Sequence, residues 1–471
     1  MRCSNERPGH DLPPKEYATM FHRRELLQIG CSSFFGLGLT GVLQQQALAA
    51  AEARRARSVI LIFLTGGGSH IDMFDPKPEA SEVKGEFEPI ATALPGVQFS
   101  DMMPEMAKRA GELAIVRSMA HGDNRHLSGS HNTLTGAVQP FRGSSNQDKS
   151  LNRGDWPSYG ATHSRLRPRA DGLPSQVTLP NALIEGSLVW PGQHAGFLGA
   201  RFDPFVLQDD PNDSSYQVRG LSLIDGLSVA RLEGRRTLLD NINRQRDSLS
   251  ASQQSVRFGN ERERAFSMLT SSGLRDALNI DAESATTRER YGRHQYGQTL
   301  LLARRLVELE MPMIQCNMGR VQSWDTHVNH FPRLKQMLPP LDTGVSALLD
   351  DLDERGLTEQ TLVVCVGEFG RTPAISPLPG QKVPGRHHWA SVYTAVFAGG
   401  GVKGGQVIGT SDRIGGTPVT SPFHPNDMGA TIYNALGINP HQTVPDRFRR
   451  PRHLNRGRIM DVLYSGSGAE A

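Results

Sequence analysis

Two uninterrupted apolar runs constrain this chain more than any other feature: Ser58-Val59-Ile60-Leu61-Ile62-Phe63-Leu64 and Thr361-Leu362-Val363-Val364-Cys365-Val366. A strand with one wet face alternates polar and apolar residues. A strand covered on both faces is apolar throughout, as in parallel sheets wrapped by helices. Shorter runs at 113–119, 313–318 and 391–398 have the same character, and helical periodicity recurs at 295–309, 334–355 and 425–436. Strands alternating with helices of this length predict an α/β fold built on a doubly wound, mainly parallel sheet. Residues 51–471 read as a single domain. Within it, 140–220, rich in Gly, Pro, Asp and Arg, reads as irregular loops, and about 223–280 as a charged helical insertion.

The first fifty residues read as an address. His22-Arg23-Arg24-Glu25-Leu26-Leu27-Gln28 is a twin-arginine pattern, an apolar Gly-rich run follows from Ile29 to Leu43, and Ala47-Leu48-Ala49-Ala50 is a small-residue cleavage context. The apolar run is shorter than the ~20 residues of a membrane-spanning helix. Processing is therefore expected near Ala49 or Ala50, with a periplasmic or secreted product and no stable membrane span in the mature chain. A formal net charge of +3 with no long basic run argues against a nucleic-acid partner. Cys316 and Cys365 lie inside apolar runs and are expected to pack as small hydrophobes rather than to pair.

Acids and imidazoles gather where these strands end, which is where open parallel sheets place their ligand crevice. Ser323-Trp324-Asp325-Thr326-His327 follows the run at 313–318, with His330 close behind. Glu368-Phe369-Gly370-Arg371 follows the run at 361–366, and Gly385-Arg386-His387-His388-Trp389 precedes the run at 391–398. Carboxylate and neutral imidazole are ligands for a divalent metal, with zinc or calcium the leading candidates. Either His327 or His330 could be the ligand, and only one of His387 and His388 faces a common site if that segment is extended. Arg371 could clamp an oxyanion with its two-pronged fork. The turn Thr65-Gly66-Gly67-Gly68 lets backbone approach a ligand, and Asp72 and Asp75 could add metal oxygens. His121, His126 and His131, with Ser128 and Ser130 among them, form a further candidate segment for nucleophilic or acid–base work.

In order along the chain, the twin-arginine leader, F-L-T-G-G-G-S-H-I-D-M-F-D-P-K-P, W-D-T-H, G-E-F-G-R-T-P and G-R-H-H-W resemble the exported proteins grouped as domain of unknown function 1501. That family is similar to the alkaline phosphatase and sulfatase superfamily. The resemblance implies a doubly wound sheet with metal at the strand ends. By position it implies metal ligation by Asp325, His327, Glu368 and His388, with Asp72 reaching in because Gly66 and Gly67 stand where the first metal carboxylate is kept. Leu134-Thr135-Gly136 matches the helix end after the nucleophile, which puts His126 at the nucleophile position. His126, Ser128 and Arg371 are then the candidate catalytic residues.

Three functions fit these features, in descending order. The first is an exported metal-dependent hydrolase of sulfate or phosphate esters, acting on a small molecule or polysaccharide. The second is a degenerate superfamily member that binds such a ligand without turnover. The third is an envelope-associated structural protein.

Overall fold

The computed structural model describes residues 56–140, 151–218, 221, 229–247 and 253–466. The leader and its cleavage site lie outside the described residues. Strand β1 (Ser58–Leu64) is buried at every position. Its outward-alternating side chains enter two different cores: Ile60, Ile62 and Leu64 join one, while Val59, Leu61 and Phe63 join the other. That is the physical reason for its unbroken apolarity, since both faces meet a helical layer.

The other main-sheet strands are β2 (Ala114–Met119), β3 (Gln176–Leu179), β4 (Phe205–Val206), β5 (Met313–Asn317), β6 (Thr361–Gly367), β7 (Tyr393–Ala398) and β8 (Gln406–Ile408). Their spatial order is β8-β2-β7-β6-β1-β5-β3-β4. Strand β1 pairs in parallel with β6, from Ser58 opposite Thr361 to Leu64 opposite Gly367, and with β5 on its other side. Seven strands share one direction, and β7 alone runs against its neighbours β6 and β2. The fold is therefore α/β with a mainly parallel sheet.

Helices cover both faces. On the face of Ile60 and Ile62 lie α6 (Gln295–Glu308) and α7 (His330–Glu354), through Leu300, Leu302, Leu334 and Leu338. On the other lie α2 (His126–Thr135) and α8 (Pro425–Ala435), through Leu127, Leu134, Met428 and Ile432. Further helices are α1 (Pro104–Lys108), α3 (Tyr159–Leu166), α4 (Val229–Asp247) and α5 (Gln253–Thr270), the last two within the expected helical insertion. No described helix is long and apolar enough to cross a membrane. Cys316 and Cys365 are buried and free.

One expectation needs correction. The stretch 140–220 is not merely irregular, because it supplies β3 and β4 of the main sheet. Strand β3 (Gln-Val-Thr-Leu) lacks an apolar run because its polar side chains are satisfied inside: Gln176 Nε2 donates to Gln315 Oε1 (3.2 Å), and Gln176 Oε1 accepts from Ser158 Oγ (2.9 Å). A buried hydrogen-bonded ladder leaves no hydrophobic period to read.

Candidate metal centre

Beyond Leu64 the chain turns through Gly66 (φ +112°) and Gly67 (φ +82°). A Cβ on Gly66 would stand 2.6 Å from the Asp325 nitrogen, and one on Gly67 2.8 Å from the Phe369 carbonyl oxygen. Glycine is thus needed here both for backbone conformation and for close approach of three strand-end loops. The approach is used: Gly66 N–H donates to both carboxylate oxygens of Glu368, at 2.9 and 3.1 Å. Glu368 is fully buried immediately after β6.

His126, the first residue of α2, turns one ring nitrogen to each side. Its Nδ1 donates to Glu368 Oε1 (2.7 Å), and its Nε2 stands 3.3 Å from Asp325 Oδ2. That Nε2 is buried and makes no hydrogen bond. His388 presents Nε2 to Asp325 Oδ1 at 3.2 Å while its Nδ1 donates to the Asn124 carbonyl (2.8 Å). His327 Nε2 lies 3.1 Å from the same Asp325 oxygen and 2.9 Å from His388 Nε2. Ligand-capable atoms of His126, Asp325 and His388 all fall within 4.8 Å of one another. Two of these rings are thus tied at Nδ1 to an oxygen acceptor, the arrangement that leaves Nε2 as a lone pair for a metal. Trp190, stacked on His126 with centroids 5.4 Å apart, and Phe369, 5.1 Å away, wall the cluster off.

Charge leads to the same conclusion. Burial opposes ionisation of Asp325, but the adjoining His126 and His388 rings and the Arg371 charge outweigh it and hold the carboxyl well below the usual range. Burial pulls His126 down, yet Asp325 and Glu368 raise it to about 9. Two carboxylates face one guanidinium here, so the centre calls for one more positive charge. A proton on His126 supplies it in the metal-free chain, and a divalent ion could supply it instead. The donor set fits such an ion.

Of the expected ligands, Asp325, His327 and His388 come together, and His126 joins them instead of standing apart as a nucleophile. Glu368 sits behind His126 and orients it. Asp72 does not reach the cluster. Its carboxylate is held by Arg386 (Nε to Oδ2, 2.7 Å) and by His330 (Nε2 to Oδ2, 2.8 Å), two buried partners that fix it elsewhere. His330 is therefore occupied with Asp72 and Thr326, and His327 is the member of that pair at the cluster. Asp75 is likewise taken up, by Ser411, Lys77 and Arg117.

Two catalytic expectations do not fit the geometry. Arg371 is fully buried, donating to the carbonyls of Gly66 and Gly67 and to Asp325 Oδ1 (2.6 Å), so its fork is closed to a substrate oxyanion. Ser128 Oγ donates to Gln139 Oε1 (3.1 Å) rather than facing the cluster. His121 Nε2 donates to the Glu368 carbonyl (2.7 Å), and His131 Nδ1 lies 2.9 Å from the Ala137 carbonyl. Sequence reasoning missed Arg386, although it adjoins His387 and His388 in one motif, and Trp190, which stands in a stretch without periodicity.

Among solved structures, the chain is similar to Ps i-CgsB in complex with k-i-k-neocarrahexaose (11% identity, TM-score 0.39, 81% of this chain and 72% of that one). It is also similar to the PsFucS1 sulfatase from Pseudoalteromonas sp. (13%, 0.38, 88% and 72%). Alkaline phosphatase from the Antarctic bacterium TAB5 is a third (11%, 0.38, 81% and 99%). Likeness at this level carries no argument about activity. No curated protein matches the sequence. A family model does match, over residues 56–463, and the chain belongs to that family, described as protein of unknown function (DUF1501).

Proposed function

We propose that this chain is a metal-dependent hydrolase of sulfate or phosphate esters that works outside the cytoplasm. The observation that carries the metal part is the convergence of His126, Asp325 and His388, whose ligand-capable atoms all lie within 4.8 Å of one another. Imidazole-rich donors with one carboxylate suit zinc, whereas calcium takes six to eight oxygens. When bound, such an ion would supply Lewis acidity and a water of lowered pKa. Glu368 would hold His126 with Nε2 toward the ion, and Asn124 would do the same for His388. Arg371 would fix the rotamer of Asp325, a positioning task in place of the oxyanion task its sequence suggested. Trp190 and Phe369 would exclude bulk water from one side, and His327, partly exposed at the rim, would be the fourth donor. The ester substrate and the export route rest on the ordered motifs and the leader in the sequence.

A second reading, a metal-holding protein that binds an anionic ligand without turnover, is favoured by one observation: Arg371 and Ser128 are both committed internally. The test is to purify the protein, measure bound metal, and assay metal-loaded protein on aryl sulfates and aryl phosphates. Stoichiometric metal with turnover supports the hydrolase. Metal without turnover on the whole panel gives the binding reading, and no metal removes both.

A further inference from the structure

A cavity of about 570 Å³ lies between α3, the loop entering β3, and α5. Four arginines line it, Arg165, Arg169, Arg201 and Arg264, against one carboxylate, Glu263. Glu263 is already paired with Arg236, and Arg169 with Asp171. Arg165 and Arg201 lack that compensation. Arg264 donates to the main-chain carbonyls of Arg201 (3.1 Å) and Asp203 (2.7 Å), while the Asp203 carboxylate itself pairs with Arg153. Arg201 lies over the Phe202 ring at 4.4 Å, and Arg165 has no hydrogen-bond or ion-pair partner among the described residues. Carbonyls satisfy N–H groups, and the only countercharge felt by Arg264 among the described residues, that of Asp203, is shared with Arg153. Nearby His163, on α3, is lowered to about 4, first by burial and then by the charges of Arg167 and Arg169.

A buried hydroxyl lies beside the cavity. Ser175 lines it, is 1% exposed, and its Oγ has no hydrogen-bond partner. Buried hydroxyls normally find one. Leu173 and Phe202 add apolar wall. The position also separates this cavity from the metal centre. Ser175 directly precedes β3 and its carbonyl accepts from Met313 N–H where β5 begins, whereas the metal centre lies beyond the opposite ends of the parallel strands β1 and β6.

We propose that this cavity is a second ligand site, remote from the metal centre, for a small organic molecule bearing a phosphate or sulfate group. Arg165, Arg201 and Arg264, from three segments, offer donors to several oxygens of one tetrahedral anion. The carbon skeleton rests on Leu173 and Phe202. The volume suits a ligand of that size.

The probe is phenyl phosphate, titrated calorimetrically into the full chain and into an Asp325→Ala/His388→Ala protein that lacks the metal donors. Saturable binding should persist in the latter. It should weaken at least about tenfold in Arg165→Ala/Arg201→Ala, two substitutions on the solvent side of the fold, and should fall with added salt. Binding that disappears with the metal donors, or that survives the double arginine substitution, overturns the proposal. So does the absence of binding at millimolar probe. None of these outcomes depends on turnover, so the second site and the hydrolase reading fail separately.

Discussion

Asp325 receives Arg371 on the oxygen that also faces His327 and His388, and turns its other oxygen toward His126. Removing it should abolish metal binding, and Asp325→Ala or His388→Ala protein that keeps wild-type metal content after dialysis would refute the assignment. Glu368→Gln is a finer test. An amide can still accept from Gly66 but holds His126 less firmly, so stoichiometry should survive while affinity drops by roughly 10- to 100-fold in a competition titration. These residues were legible because each follows or precedes an apolar strand. Asp72 was misplaced because nothing in its local sequence reveals that Arg386, over three hundred positions away, provides its countercharge. A second residue-scale test concerns pH. His194 is buried, accepts from Gly196 N–H at Nδ1 (3.1 Å), and is lowered from 6.5 to about 4 by burial and then by Arg153. The folded state therefore holds it neutral, and its contribution to stability is present above pH 6.5 and lost as pH falls through about 4. The full loss across that interval amounts to roughly 3 kcal/mol. Urea midpoints measured at pH 7 and pH 4.5 should converge in His194→Asn relative to wild type. An unchanged pH slope would show that His194 is not the group responsible.

At the scale of elements, the glycine turn after β1 matters more than any helix. Gly66→Ala adds a Cβ 2.6 Å from the Asp325 nitrogen on a backbone with positive φ, so the Asp325 and Glu368 loops must separate. The expected result is a lower melting temperature together with lost metal. Gly96→Ala, also at positive φ (+77°) but facing open space, should cost only about 1 kcal/mol and leave metal content untouched. Equal losses from the two would mean that crowding at the turn is irrelevant. Within β1 itself, Leu61→Ala empties a fully buried position and should cost about 2–5 kcal/mol in denaturant unfolding. The strong strands were readable because burial on both faces leaves apolarity as the only solution. Strand β3 was not, since Gln176 and Thr178 are buried by hydrogen bonding to Gln315 and to each other. The reversed direction of β7 was equally hidden, because a strand carries the same side chains whichever way it runs.

At the scale of the whole molecule, the metal centre draws on α2, the loop after β5, the end of β6 and the segment before β7, so no local fragment contains it. The central strand has the same property. Strand β1 is made early, yet both of its neighbours, β5 and β6, lie about 250 to 300 residues further along the chain. At ordinary synthesis speeds of about 5–20 residues per second, that is a delay of roughly 12 to 60 s during which the most apolar segment has no sheet partner. Such a segment is an aggregation hazard on the ribosome and a natural client for a chaperone that shields extended hydrophobic chain. Nascent chains stalled before Met313 should accordingly be protease-sensitive throughout, and protection of β1 should appear only once Gly367 has cleared the exit tunnel.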